Sequence, residues 1–224
     1  MTKPSSLQRL LSNISELRKE GKFTDLSFTH ERGTFRVHRI IVCPQSKVFR
    51  KACDGGFKEQ SEGLIKLGHV PYEHLARMVE FFYHMDYSEK LPEGTQESTL
   101  GLHAQMFALA DQYEIPALLS MSEAKYSERC VKAWEPLDFL SSVSAIWEST
   151  PTAVQGLRNT ACVAVRRHLP DMLEDSSTAE RFKNTLSECS AFARDLLDSY
   201  IKNPLFGYCQ MCRSDHGMEP LPAR

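Results

Sequence analysis

No apolar run in this chain of 224 residues approaches the ~20 consecutive residues that a membrane-crossing helix needs. The N-terminal MTKPSSLQ has no long apolar core, so no secretory leader is expected. Charge of one sign is also missing. The 27 Lys and Arg nearly balance the 29 Asp and Glu, and the formal net charge of −2 excludes a global basic footprint for nucleic acid. The seven Cys are odd in number and scattered, mostly inside apolar runs (Cys43, Cys53, Cys130, Cys162), which does not fit a disulfide-dense secreted scaffold. They are predicted to be reduced core thiols of a protein of the cytoplasm or nucleus. Internal repeats, low-complexity stretches, phosphate-cradling loops, catalytically spaced carboxylate pairs and a Ser-centred nucleophile elbow are absent as well. Neither enzymatic chemistry nor a membrane or nucleic-acid partner is expected.

What is present is an ordinary globular composition, 42% hydrophobic and 25% charged, with length for one large domain or two small ones. Residues 5–20 carry Leu7, Leu10, Leu11, Ile14 and Leu17 at helical spacing on one face. Ser5 or Ser6 can cap this amphipathic helix, and Gly21 sits where it ends. Asp25 to Thr29 alternates, with Leu26 and Phe28 on one side. A turn at Glu31-Arg32-Gly33 leads into a second alternating run, Thr34 to Val37, so a hairpin is predicted. An apolar run from Arg39 to Cys43 is stopped by Pro44. Ser46 then caps a helix through Cys53 that buries Val48 and Phe49, and Asp54-Gly55-Gly56 breaks it. Leu64 to Leu67 reads as another strand. Pro71 opens a helix whose inward face holds Leu75, Met78, Val79 and Phe82.

Residues 88–98 are predicted to be a loop, followed by helices over Leu100–Tyr113 and Pro116–Cys130. From Trp134 onward the periodicity is helical throughout, over Pro136–Glu148, Ala153–His168 and Thr178–Tyr200, with Pro151 and Pro170 as punctuation. Trp134 and Trp147 are assigned to the core, or to the junction of the two halves. From Asn203 the chain is rich in Pro, Gly and polar residues and reads as a frayed tail. The organisation is therefore an N-terminal helix (1–21), an α+β module (22–130) with a small sheet of three to five strands among helices, an all-helical region (131–202), and a flexible tail (203–224).

An ordered set of residues carries a family resemblance. An amphipathic helix ends LRKEGKFTDLSF at the first strand. Phe35-x-Val37-His38-Arg39, Ser46-x-x-Phe49, Phe57-x-Glu59-x-Ser61, Val79-x-Phe81-Phe82-Tyr83-x-x-Asp86-Tyr87 and Ala108-Leu109-Ala110-Asp111-x-Tyr113 follow in turn. In this set, residues 22–130 resemble the BTB/POZ domain. The acidic loop near 88–98 and the compact size are similar to small fungal members. The helices after Trp134, through Arg158-Asn159-x-Ala161 and Phe192-Ala193-x-x-Leu196-Leu197, resemble the BACK-type extension that often follows a BTB domain.

The resemblance implies an interaction adaptor that pairs with itself or with another BTB protein and in many cases holds the cullin scaffold of a ubiquitin ligase. It implies a dimer surface on Leu7, Leu10, Leu11, Ile14 and Leu17. Five such side chains, at roughly 1.5–3 kcal/mol each when buried, compete with association costs of about 4–15 kcal/mol. Alternatively, this helix folds onto its own domain. Asp25 and Arg39 match a charged pocket at the family's dimer interface, or else Asp25 caps the strand and Arg39 is solvated. Phe57-Lys58-Glu59 matches the hydrophobic-x-Glu pattern of cullin contact, or Phe57 plugs its own core. His38 is read as structural, bonded to backbone. Cys209, Cys212 and His216 have the spacing of half a zinc site, so three readings stay open: a ligase adaptor, an oligomeric scaffold or transcriptional co-regulator without ligase contact, and a zinc-binding protein. No cofactor beyond that zinc is expected.

Overall fold

The computed structural model describes residues 6–54, 62–95, 97–149, 155–203, 207–209 and 214–216. The chain divides into two compact units, one of residues 1–92 and 105–122, the other of residues 93–104 and 123–224. Two helices, α5 (Thr99–Gln112) and α6 (Pro116–Lys132), contribute residues to both. No helix among the described residues is long and apolar enough to cross a membrane.

The first unit opens with helix α1 (Ser6–Lys19). Strands β1 (Leu26–His30) and β2 (Gly33–Val37) then form the predicted hairpin, antiparallel in the register Leu26↔Val37 to His30↔Gly33. β3 (Leu64–Lys66) pairs parallel with the other edge of β1, giving a mixed three-stranded sheet of order β2-β1-β3. Period-two alternation turns Leu26, Phe28, Val37 and Ile65 into the core.

The apolar run after the hairpin is a single helical turn, α2 (Arg39–Val42). Only Val42 is fully buried within it, while Ile40 points to solvent. Helix α3 (Lys47–Asp54) begins where Ser46 was predicted to cap it. The Ser46 hydroxyl oxygen accepts from the Phe49 N–H at 3.1 Å and donates to the Tyr113 carbonyl at 2.6 Å. Phe49 stacks on Tyr113 at 4.9 Å and tilts against Phe28 at 4.8 Å. Val48 is only half-buried, because the inward face of so short a helix is spent on Phe49 and Cys53. Helix α4 (Tyr72–His84) buries Leu75, Met78, Val79, Phe81, Phe82 and Tyr83, and Met85 closes it in the left-handed conformation.

The second unit contains α7 (Pro136–Ser149), α8 (Gly156–Glu174), α9 (Ser176–Glu188) and α10 (Ser190–Lys202). Three sequence expectations are corrected here. Pro170 does not end its helix but lies inside α8. It denies the Arg166 carbonyl a helical donor, yet its ring is exposed and the fully buried Met172 fixes the turn beyond it. The predicted helix over Thr178–Tyr200 is two helices that reverse at Cys189. One continuous helix would separate Phe182 and Phe192 by about 15 Å along its axis, whereas their rings lie 6.4 Å apart in one core. The tail also holds a structured element, the antiparallel pair β4 (Gly207–Cys209) and β5 (Ser214–His216).

Trp147 is core, as expected. Its indole N–H donates to the Asp195 carboxylate at 2.8 Å and its ring packs on Phe192. Arg158 donates to the Trp147 carbonyl at 3.1 Å. Trp134 stacks on His168 at 4.2 Å, and burial lowers the affinity of that imidazole for a proton.

Candidate functional site

Helix α1 packs on its own unit, against α4 and β2. Ser15, fully buried, places its hydroxyl 3.0 Å from Nε2 of His84, and the Arg18 guanidinium sits over the Tyr83 ring at 5.2 Å. The predicted apolar stripe is divided by this docking. Leu11, Ile14 and Leu17 are half-buried, whereas Leu10 remains 55% exposed. For Leu7 the described structure extends to the backbone of the first turn.

Asp25 and Arg39 are brought together, through the backbone of each. The Asp25 carboxylate accepts from the Arg39 N–H at 2.7 Å and so caps α2, not the strand. The Arg39 Nε returns a bond to the Asp25 carbonyl at 3.1 Å. Gly63 makes this exchange fit. Its φ is +63°, and a Cβ there would lie 3.2 Å from the Asp25 carbonyl oxygen and 3.6 Å from the Arg39 guanidinium. Phe23 and Ile40 flank the pair in sequence and are 81% and 80% exposed. Phe23 also holds a φ of +59°, which costs a β-carbon residue roughly 1–2 kcal/mol.

His38 is buried and anchors the corner between β2 and α2. Its Nε2 lies 2.9 Å from the Lys22 carbonyl, which assigns a proton to that nitrogen. Nδ1 is then left to accept from the Tyr83 hydroxyl at 2.9 Å, while the same hydroxyl oxygen accepts from the His38 backbone N–H at 2.9 Å. Burial pushes the Tyr83 phenol up to about 12, so it stays protonated and able to donate. Among the described residues no nucleophile joins this arrangement, and His38 is the backbone-bonded residue the sequence indicated. Its partner Tyr83, 45 residues on, carried only a packing signal.

Phe57 and Glu59 lie outside the described residues, as does Cys212. Cys209 and His216 fall on β4 and β5, where the described structure extends to the backbone. Sequence reasoning missed Phe23 and Ile40 as surface residues. It also missed Arg77, which is buried and donates to the carbonyls of Glu73, Ser88 and Lys90, tying the loop after α4 to that helix. A buried arginine in a helical apolar face has no distinctive spacing. Among the described residues no group of three His, Cys, Asp or Glu converges as a metal site.

The first unit is thus a small mixed sheet among helices, with an N-terminal helix packed on it. The BTB/POZ domain family model matches residues 14–129, just over half of the chain, and the chain belongs to that family. Human Kelch-like protein 26 is 31% identical over 80 residues, 36% of this chain and 13% of that protein. Zinc finger and BTB domain-containing protein 44 of Xenopus tropicalis is 24% identical over 107 residues, 48% of this chain and 24% of that protein. The ARM repeat protein interacting with ABF2, of Arabidopsis thaliana, is 27% identical over 120 residues, 54% of this chain and 16% of that protein. The chain thus spans at most about a quarter of the curated relatives it matches. Among solved structures, the BTB domain of zebrafish PATZ1 aligns with 57% of this chain and 98% of its own, at 14% identity and a TM-score of 0.44. BTB domains are protein–protein interaction modules, and this chain carries one.

Proposed function

We propose that this chain is a self-associating adaptor. In this reading one BTB surface, made by Leu7, Leu10, Leu11, Ile14 and Leu17 with Asp25 and Arg39, pairs with a second copy or another BTB protein, and Phe57 and Glu59 contact a cullin. The four helices α7–α10 then act as a BACK-type extension, and function is exercised in the cytoplasm or nucleus. The observation that carries the reading is the exposure of Phe23 and Ile40, which flank Asp25 and Arg39 in sequence. Large exposed apolar side chains are the kind of group that a partner surface covers. Leu10 adds apolar area on a helix whose other side is already docked.

The cullin contact rests on the sequence pattern Phe57-Lys58-Glu59 and on family membership. A scaffold or co-regulator that pairs without touching a ligase is the second reading.

Sedimentation and pull-down separate these readings. The wild-type chain should sediment at twice its 25.5 kDa. The double variant Leu10→Glu, Ile40→Glu should sediment as a monomer with an unchanged far-ultraviolet spectrum. Wild type should be retained on an immobilised cullin N-terminal domain and Phe57→Ala, Glu59→Ala should not. A wild-type monomer at tens of micromolar removes the pairing surface. A dimer that ignores the cullin leaves the scaffold.

A further inference from the structure

Phe23 holds a backbone conformation that the fold of the first unit does not use. Among the described residues, three other than glycine have a positive φ, and two of them close helices. Met85 ends α4 and donates its N–H to the Phe81 carbonyl. Glu114 follows α5, and the N–H of Ile115 after it reaches back to the Ala110 carbonyl at 2.8 Å. Phe23 closes nothing, because Gly21 already makes that turn for α1. The φ of Gly21 is +70°, and the N–H of Lys22 after it reaches the Leu17 carbonyl at 2.9 Å. Phe23 is instead fixed from both sides. Nε2 of the buried His38 holds the Lys22 carbonyl at 2.9 Å. The Thr24 hydroxyl donates to the Gly21 carbonyl at 3.1 Å, and the Asp25 N–H donates to the Val37 carbonyl at 3.2 Å. Between these anchors Phe23 has a φ of +59°, a region that a bulky side chain enters only under strain and that glycine takes freely. The ring is also 81% exposed, so within this chain it meets strain and water with little packing to offset them.

We infer that Phe23 is a strained anchor whose ring is covered by a second copy of this chain. The inference rests on the self-association proposed above and adds to that surface the side chain on which pairing depends. Two observations favour a second copy. The 2.7 Å bond from the Arg39 N–H to the Asp25 carboxylate joins the two backbones. Phe23 lies two residues before Asp25, about 7 Å away at most, and the exposed Ile40 follows Arg39 directly, so one corner of the unit carries both apolar side chains. The charges at that corner are of both signs. Asp25 and Arg39 bring one of each, and Lys22 pairs with Glu20 at 2.7 Å. A patch of mixed sign can meet its own copy about a two-fold axis, whereas a patch of one sign repels it. The strain belongs to the monomer and the contact to the dimer. Removing the side chain and its strain together therefore stabilises the single chain and weakens the pair.

The full-length chain tests this by sedimentation over a dilution series. Phe23→Gly and Phe23→Ala should each raise the dimer dissociation constant by about tenfold or more, with far-ultraviolet spectra unchanged. Urea unfolding is measured in the Leu10→Glu, Ile40→Glu background, where pairing does not contribute. There Phe23→Gly should unfold at a higher urea midpoint than Phe23→Ala, since alanine keeps the strain at positive φ and glycine relieves it. A dissociation constant within about twofold of wild type in both variants overturns the inference. So does a Phe23→Gly midpoint at or below that of Phe23→Ala, because the position is then unstrained. A monomeric wild-type chain removes the pairing reading and this inference with it, whereas a wild-type dimer indifferent to Phe23 removes this inference alone.

Discussion

Tyr83 holds the corner at which the hairpin gives way to α2. Its hydroxyl serves two atoms of His38, accepting from the backbone N–H and donating to Nδ1. Both groups are buried, so Tyr83→Phe leaves a donor and an acceptor without partners at almost no change in volume. The cost should be about 1–3 kcal/mol, measured as a lower denaturant midpoint with an unchanged slope. A cost below half a kcal/mol would mean that water replaces the hydroxyl. His38 was legible as structural because it precedes an apolar run with no nucleophile or orienting carboxylate placed for it in the sequence. Which residue serves it was not legible, since Tyr83 reads as one more inward position on an amphipathic helix. Asp25 was legible as a cap but not for the right element. The strand and α2 compete for its carboxylate, and the choice depends on a register that a linear pattern does not contain.

Capping decides the second unit's boundaries in a way that pH exposes. Asp175 precedes α9, and its carboxylate accepts from the Thr178 N–H at 2.7 Å and from the Ser177 hydroxyl at 2.6 Å. These bonds hold its carboxyl down at about 2, against an ordinary 3.8. A depressed carboxyl contributes stability above its unfolded value and loses it as pH falls through the folded one. The first turn of α9 should therefore stay protected down to about pH 4 and fray between about pH 4 and pH 2. Amide exchange at Thr178 and Ala179 checks this, and Asp175→Ala should show the frayed behaviour at neutral pH as well.

Helix existence in this half was readable from periodicity. The reversal at Cys189 was not, because neither Gly nor Pro marks it and the reason lies in the meeting of Phe182 with Phe192. The run over Pro170 failed for the opposite reason. A strong local breaker was outweighed by burial of Met172. The strands were legible from alternation, but the parallel pairing of β3 with β1 was not, since the segments are far apart in the chain.

The molecule as a whole is two units whose chain segments interleave: residues 93–104 belong with the second, and 105–122 return to the first. A fragment of residues 1–92 therefore lacks Tyr113, the partner of Ser46 and Phe49. It should show no cooperative thermal transition, whereas residues 1–132 should melt cooperatively. A sharp transition in the shorter fragment would contradict the assignment of 105–122 to the first unit. The periodicity of Leu100–Tyr113 located that helix but gave no hint that its two ends serve different cores.

Interleaving also governs how the chain can be made and unmade. A ribosome that has delivered Pro92 has not yet delivered the first core, and must pass through residues destined for the second before the first can close. A protease that cuts once between the two segments releases neither unit whole. Birth and degradation of the proposed pairing surface, whose residues all lie in the first unit, are thereby tied to the helical half.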